Sequence, residues 1–399
     1  MAGVTAPAPR LTRATITLFS VSVGLIVANL YYAQPLLPQI AADFKVDVGS
    51  AARLVTWIQL GYVMGMVLVV PLGDVLDRRK LTLGLVALSV VGLLAVAAAP
   101  AFWLFALASV LLGLTTVGAQ VLVPFAASLA DDANRGKVVG TVMSGLLLGI
   151  LLARTVSGVL ASLLGWRLVF VVAATTLALL WALLRRGLPS LAPSRRLPYR
   201  TLLASVLELV ISEPILRRRS LYGLLAFAAF SVFWTSLSFL LAGPPYFYNE
   251  ALVGLFGLVG AVGALAASWA GRQADAGRSH WISGVMAALI AASFGLIWWG
   301  QTSLAALIAG ALLMDLGVQA LHITNQSEIY RLRPEARSRL TTVYLSSYFA
   351  GGVLGSALSS VAYVRYGWAG VSVLGILFGL AILAVWALEK PLQAVLNKR

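Results

Sequence analysis

The sequence predicts an all-α membrane protein in which twelve transmembrane helices form two pseudosymmetric six-helix bundles. Three observations predict it. Hydrophobic residues make up 60% of the 399-residue chain and charged residues 11%, against roughly 45–50% and 25% in soluble domains. The apolar runs are long enough to span a bilayer and are separated by short basic clusters. The two halves also echo each other: Arg135, Lys137, Gly149, Gly165 and Trp166 recur at a constant offset as Arg337, Arg339, Gly351, Gly367 and Trp368. A span takes about 20 apolar residues at about 1.5 Å each, so twelve spans leave only short loops and no sizeable soluble domain.

Basic clusters and Pro/Gly breakers place the spans at 15–37, 51–72, 81–99, 102–123, 138–163, 166–184, 221–241, 251–270, 282–299, 304–323, 340–364 and 368–388. Span 1 follows Arg10 and Arg13 as a signal peptide would. It is span-length and lacks a small-residue cleavage site, so it reads as an uncleaved helix. Span 2 runs into the "PLGD" turn, and span 3 runs from the Arg78-Arg79-Lys80 cluster to Pro100. Span 4 stops before Pro124, span 5 lies between Lys137 and Gly165, and span 6 ends at Arg185-Arg186. The segment "RRGLPSLAPSRRLPYRTLLASVLELVISEPILRRRS" is basic and punctuated by proline. It divides the chain into an N-terminal bundle at 1–186, a linker at 187–219 and a C-terminal bundle at 220–399. An amphipathic stretch at 199–211 reads as a helix resting on the cytoplasmic leaflet. Spans 7 to 12 then repeat the pattern of the first six, span 7 ending at Gly243-Pro244-Pro245 and span 9 at Gly300.

The net charge of +15 reflects topology rather than a nucleic-acid face, because the basic residues sit in short clusters between apolar runs. Lys45, Arg53, Arg167 and Arg365 flank one side of the membrane, Arg154 stands alone at depth, and the rest of the 29 basic residues flank the other side. That bias predicts a multi-pass protein with both termini in the cytoplasm. The absence of cysteine removes disulfides, thiolate metal sites and cysteine catalysis. Two distant histidines supply no zinc spacing, and no phosphate-binding Gly-x-x-x-x-Gly-Lys-Ser/Thr loop occurs. No cofactor or metal is expected, and the chain does not read as an enzyme.

Two charges need an explanation. In "GILLARTVSG" of span 5, Arg154 stands mid-membrane, at a cost of ~2.5 to over ~10 kcal/mol depending on how it is reckoned. In "GALLMDLGVQALHITNQSEIY" of span 10, Asp315 is the one carboxylate away from helix ends. At about 100° per residue, Gln319, His322 and Gln326 fall within about 40° of Asp315, forming one polar stripe that should face protein or water. Arg154 and Asp315 come from different halves, and a pairing across a central cavity would account for both. The arginine keeps its proton. The carboxylate is neutralised by desolvation and kept ionised by a nearby arginine, so separating the two promotes protonation. The same pair also reads as a static brace, and Arg154 alone as a holder of an anionic substrate. Tyr31, Tyr32, Gln34, Phe230 and Trp234 are further cavity candidates, with His322 a relay or packing histidine. Trp166, Trp298, Trp299, Trp368 and the aromatic run from Tyr246 to Tyr248 read as interfacial belt residues.

Over nearly its whole length the chain resembles the major facilitator superfamily, specifically the drug/proton antiporter branch of small bacterial exporters. "YYAQPLLPQI" in span 1 resembles that family's proline-containing motif. Gly140, Gly149, Ala153-Arg154 and Ser157-Gly158 follow the spacing of its span-5 antiporter motif, with Arg154 where the motif has proline, so no kink is expected there. Gly145, Gly149, Ala153 and Ser157 also form a four-residue ridge of small side chains that lets a neighbouring helix approach closely. "PLGDVLDRRK" resembles the cytoplasmic gating loop, with Asp74, Asp77, Arg78 and Arg79, and "GRQADAGR", with Asp275 and Arg278, is its echo. Ser109 stands where many relatives carry a proton-relay arginine, so that relay is not implied here. The resemblance implies a bacterial inner-membrane protein that exchanges protons for a small solute by alternating access. Import by the same fold, a non-transporting sensor and a membrane enzyme are the alternatives. The expected partners are a small-molecule substrate, protons and lipid, with no nucleic acid, and the chain is expected to be a monomer.

Overall fold

The computed structural model of the chain describes residues 12–131, 134–190, 198–260, 270, 273, 277–333 and 336–396, without the side chains of 338 and 390–396. Arg10, Asp275, residues 261–269 of span 8 and most of the "GRQADAGR" loop lie outside the described residues. Every described regular element is helical: α1 Arg13–Ala28, α2 Leu37–Phe44, α3 Val48–Leu68, α4 Arg78–Ala98, α5 Phe102–Thr116, α6 Gly118–Leu129, α7 Arg135–Leu164, α8 Trp166–Gly187, α9 Tyr199–Ser212, α10 Pro214–Ala242, α11 Glu250–Leu255, α12 Ser279–Trp299, α13 Leu304–Tyr330 and α14 Arg337–Leu396, with short 3₁₀ turns between some of them. Among the described residues nine helices are long and apolar enough to cross a membrane, one of them being the long run Arg339–Glu389. That run is two limbs joined at Gly367, whose φ of 60° breaks the helix. The two limbs and the shorter apolar helices Arg13–Ala28 and Glu250–Gly260 bring the spans to the expected twelve.

Helix starts follow capping chemistry. The side chains of Thr12, Asp47, Asp77, Asn249 and Ser303 each accept a backbone N–H from the first turn they precede, which satisfies donors that lack an intrahelical partner. Proline sets one interruption. Span 1 is broken into α1, a 3₁₀ turn at Gln34–Leu36 and α2, where Pro35 and Pro38 supply no N–H. Span 4 is divided into α5 and α6 at Val117 without a proline there, and it does not stop before Pro124 as expected, since α6 carries that residue inside it and runs on to Leu129.

The sequence echo has a geometric counterpart. Gly165 (φ 81°) separates α7 from α8 just as Gly367 (φ 60°) separates the limbs of α14, a backbone region that glycine enters without steric cost. The glycine ridges match as well. Gly145 and Gly149 seat α7 on Ser20 and Gly24 of α1, while Gly351 and Gly355 seat α14 on Leu224 and Ala228 of α10. The contact is so close that a Cβ on Gly24 would stand 2.5 Å from Gly145 O. Gly140 does not belong to this ridge, because a Cβ there would meet nothing within 4 Å. Trp166 and Trp368, expected in the interfacial belt, are instead buried. Their indoles donate to Asp43 Oδ2 and Ile297 O, which pins the start of the last helix in each half.

Two seams join α1–α8 to α10–α14. In one, Gly158 and Gly254 bring α7 against α11, and Thr155 Oγ1 donates to Gly254 O at 3.0 Å. In the other, α3 meets α14 through Thr56 Oγ1 and Ser356 Oγ, 2.9 Å apart, and the edge-on rings of Tyr62 and Phe349. Helix α9 does not rest on lipid by its whole apolar face. Leu202 and Leu209 are buried in protein, Leu207 and Ile211 are exposed, and Tyr199 OH donates to Leu68 O at 2.6 Å.

Candidate functional site

The interruption of span 1 carries Tyr31 and Gln34 into the interior beside the uninterrupted 30-residue α7. With no proline at its motif position, α7 keeps its ladder and presents Arg154, 4% exposed. Gln34 Oε1 accepts the Arg154 Nε–H at 2.6 Å. Three rings surround the guanidinium, with Cζ 4.1 Å from the Trp234 ring centroid, 4.7 Å from Tyr31 and 5.9 Å from Phe230. Desolvated cation–π contacts of this kind contribute about 2 kcal/mol each. Tyr31 and Gln34 belong to the first half of the chain and Phe230 and Trp234 to the second, so the arginine reaches across the middle of the molecule.

Asp315, 3% exposed, stands on α13. No ion pair within 4 Å joins it to Arg154. Trp234 lies between them, its ring face toward the guanidinium and its Nε1–H donated to Asp315 Oδ1 at 3.3 Å. The pairing expected from the sequence is therefore indirect, relayed by an indole that is hydrogen-bonded to one charge and stacked on the other. Glycine makes the close fit possible: a Cβ on Gly260 would stand 3.0 Å from Asp315 Oδ2, and one on Gly257 2.9 Å from Arg154 Cβ.

A cavity of about 210 Å³ adjoins the pair, walled by Leu147, Leu148 and Leu151 and bordered by Arg154, Phe230, Asp315 and Gln319. His322 stands apart from it, bonded through Nδ1 to Tyr344 OH at 2.9 Å and packed on the Tyr348 ring. Tyr32 borders a different, apolar recess between α1 and α7. Ser109, at the relay-arginine position, spends its hydroxyl on Phe105 O. Of the span-5 motif, Gly149 packs on α1, Gly158 on α11, Ala153 and Ser157 are buried, and Ser157 Oγ donates to Arg154 O.

The gating-loop residues form a bracket at the other end of the first bundle. Arg78 pairs with Asp74 at 3.2 Å and donates to Gly73 O and Pro124 O. Asp77 caps α4 and accepts Ser190 Oγ at 2.7 Å, and Arg79 donates to Arg185 O. Partial burial works to raise the Asp77 carboxyl, but Ser190 and the backbone N–H groups of Lys80 and Arg79 outweigh it and hold the group below the usual carboxylate value. Among the described residues Arg278 bonds near its own turn, to Gln273 Oε1 at 3.0 Å.

Sequence reasoning missed two features. Gly254, Gly257 and Gly260 fit span 8 around Arg154 and Asp315, and their three-residue spacing was the available signal. A second buried charge cluster joins α10, α12 and α14: Arg219 Nη2 meets Glu389 Oε1 at 3.3 Å, and Tyr222 OH and His280 Nδ1 meet Glu389 Oε2 at 3.0 and 3.1 Å. Both charges lie near helix ends, where the sequence gives no sign of burial. Among the described residues no three His, Cys, Asp or Glu side chains converge as a metal site would require.

Comparison with known proteins agrees with this architecture. The chain is 50% identical over 383 residues to the putative uncharacterized transporter YgaY of Escherichia coli K12, covering 96% of this chain and 97% of that one. It is 35% identical over 366 residues to the probable transporter SCO4007 of Streptomyces coelicolor, covering 92% and 85%. In fold it is similar to a bacterial homolog of the human lysosomal transporter Spinster in an inward-facing, occupied conformation, with a TM-score of 0.77, 13% identity and coverage of 95% and 96%. Residues 19–331 match the Major Facilitator Superfamily. With a matching family over most of its length, relatives named as transporters and the all-helical fold in place, the chain belongs to the Major Facilitator Superfamily as a non-enzymatic, multi-pass membrane transporter.

Proposed function

We propose that the protein is a secondary active transporter that couples a small solute to protons, with Arg154, Trp234 and Asp315 as the coupling unit. The observation that carries this is the indole relay: a base from one half and an acid from the other, both buried, communicate through one side chain that a small shift of α7 against α10 would disengage. Breaking the stack removes the guanidinium's hold on the carboxylate and leaves Asp315 to take up a proton. Alternating access supplies such a shift, since two packed bundles can rock about a central site. The glycine seam of α7 on α11 and the hydroxyl seam of α3 on α14 are the surfaces that would part. The Asp74–Arg78 bracket serves as a gate at the cytoplasmic end, in a monomer of the bacterial inner membrane with both termini in the cytoplasm and the 187–219 linker between its bundles.

The resemblance to drug/proton antiporters supports export in exchange for protons. Import together with a proton is a second reading, supported by the feature that departs from that branch, Arg154 itself. Both terminal amino groups of Arg154 lack a hydrogen-bond partner among the described residues, so a solute carrying negative charge would satisfy them and release Asp315 for protonation. Purified protein in vesicles tests the coupling. An imposed pH gradient is expected to drive solute flux in the parent and not in Asp315→Asn of equal abundance. Undiminished pH-driven flux in that variant would remove the coupling role.

A further inference from the structure

The geometry points to a substrate class: a small organic anion with a flat apolar body, whose carboxylate docks on the free end of Arg154. This rests on the import reading above and deepens it. A guanidinium has five N–H donors, and among the described residues only the Nε–H of Arg154 has a partner, Gln34 Oε1. Nη2 is sealed from water with none. Leaving buried donors unmade costs on the order of 1–3 kcal/mol each, and more for a charged group, so the arrangement is one that awaits an acceptor. The nearby acid does not serve as that acceptor in this conformation: Asp315 accepts from Trp234 Nε1 and makes no hydrogen bond or ion pair within 4 Å with Arg154.

The cage defines how an acceptor must arrive. Rings of Trp234, Tyr31 and Phe230 hold the guanidinium face, and Gln34 holds Nε, so the Nη1/Nη2 edge remains. That edge matches the two oxygens of a carboxylate. The adjoining cavity of about 210 Å³ sets the body. An apolar cavity of about 150 Å³ accommodates benzene, so the space suits one aromatic ring or its equivalent. Its wall is largely leucine and isoleucine, with Arg154, Asp315, Gln319 and Ser144 as the polar groups. Leu147 and Leu148 on its rim are 39% and 55% exposed on the outer face of α7, so the cavity opens at the flank of the molecule, where an amphiphile dissolved in lipid can reach it.

An anion beside an ionised Asp315 would be repelled strongly in so dry a site, so it binds when Asp315 is protonated. The charged and titratable groups around that carboxyl are Arg154 on α7, Tyr348 on α14 and, beyond the guanidinium, Tyr31, with His322 further along α13 against Tyr344 and Tyr348. Anion and proton therefore bind together and cross in the same direction.

Thermal-shift titration of the purified full chain with benzoate, 2-naphthoate, benzamide and benzylammonium at matched ionic strength tests the class. The two anions are expected to stabilise the protein saturably, and the neutral and cationic isosteres are not. In Arg154→Gln the apparent Kd for benzoate should weaken about tenfold or more, with Arg154→Lys between it and the parent and the exposed Arg53→Gln unchanged. Stabilisation by benzylammonium or benzamide equal to that by benzoate, or no shift from either anion, overturns the anion site; these comparisons in the parent stand even if the arginine variants fold poorly. The same titration separates the two claims. Benzoate affinity that rises as pH falls in the parent but not in Asp315→Asn supports both, whereas benzoate binding that ignores pH in the parent supports the anion site and refutes the coupling.

Discussion

Replacing Gly254 by alanine is expected to open the α7–α11 seam. A Cβ at this position would stand 2.5 Å from Arg154 O, 3.2 Å from Gly158 Cα and 3.2 Å from Thr155 Cα. All three are backbone atoms of one continuous helix, so none can swing aside as the end of a flexible side chain would. Overpacking of this kind costs about 1–3 kcal/mol. The cost falls only on the conformation in which α7 and α11 touch, so the ratio of parted to closed seam should rise by roughly 5- to 150-fold. The chain has no cysteine, which makes it a ready background for site-directed labelling. Val253, 6% exposed beside the contact, becomes the reporter as Val253→Cys. With a membrane-impermeant maleimide added on the Gly165 side, the labelling rate should track the parted population and rise by a factor in that range when Gly254→Ala is added. Unchanged labelling in a protein that elutes as a single folded species would refute the reasoning, because the clash would then be relieved without parting the seam.

Three further outcomes follow from the packing and the charges. Gly149→Ala places a methyl 2.5 Å from Gly24 Cα and should lower the melting temperature by the equivalent of about 1–3 kcal/mol; Gly140→Ala, with nothing within 4 Å, should match or exceed the parent through the ~0.5–1 kcal/mol helix preference for alanine. Asp77→Ala removes the cap of α4 and the Ser190 contact, a loss of ~0.5–2 kcal/mol. Because the folded carboxyl lies below its ordinary value, its contribution is complete above the ordinary carboxylate range and disappears as pH falls through the lowered value, so parent and variant melting curves should converge in acid. Glu389→Gln leaves Arg219 buried without its charge partner and should cost about 3–5 kcal/mol, more than the double replacement of Arg219 and Glu389 by leucine and methionine, which removes both charges.

Element existence was legible because lipid-spanning helices have only one way to satisfy their backbone; hydropathy, basic clusters and breakers located the nine membrane-length helices among the described residues and the shorter apolar helices of spans 1 and 8. The repeat was legible for a more specific reason. Gly165 and Gly367 must adopt positive φ, and Gly149 and Gly351 must admit a neighbouring backbone, so the same residue type was required twice. What hydropathy does not encode is which face of a helix meets protein. Trp166 and Trp368 have belt composition and end up buried, and Gly140 fits the motif spacing yet meets open space. Span 1 reads as one helix over 15–37, and its break at Pro35 and Pro38 appears only in the structure; the consequence, Gln34 delivered to Arg154, depends on how α1 and α7 pack through their glycines. Asp315 and Arg154 stood out because unpaired charge in an apolar run is conspicuous, whereas Arg219 and Glu389 were hidden among the ordinary basic and acidic residues of helix ends.

How an arginine persists at this depth bears on whether the pair is a brace or a moving part. A brace would be expected to bring two ions into direct contact and hold the halves by that contact, at the expense of desolvating both. Here the guanidinium is compensated mainly by ring faces and one amide oxygen, interactions that tolerate sliding because a π face has no single bonding direction. Among the described residues the two seams that join the halves are built from neutral contacts: glycine against backbone at α7–α11, hydroxyl against hydroxyl at α3–α14. Contacts of that kind can part at a few kcal/mol without stranding an ion. Charge is thus concentrated where its balance can change, and cohesion where it need not, which favours the coupling reading of Arg154 and Asp315 over the static one.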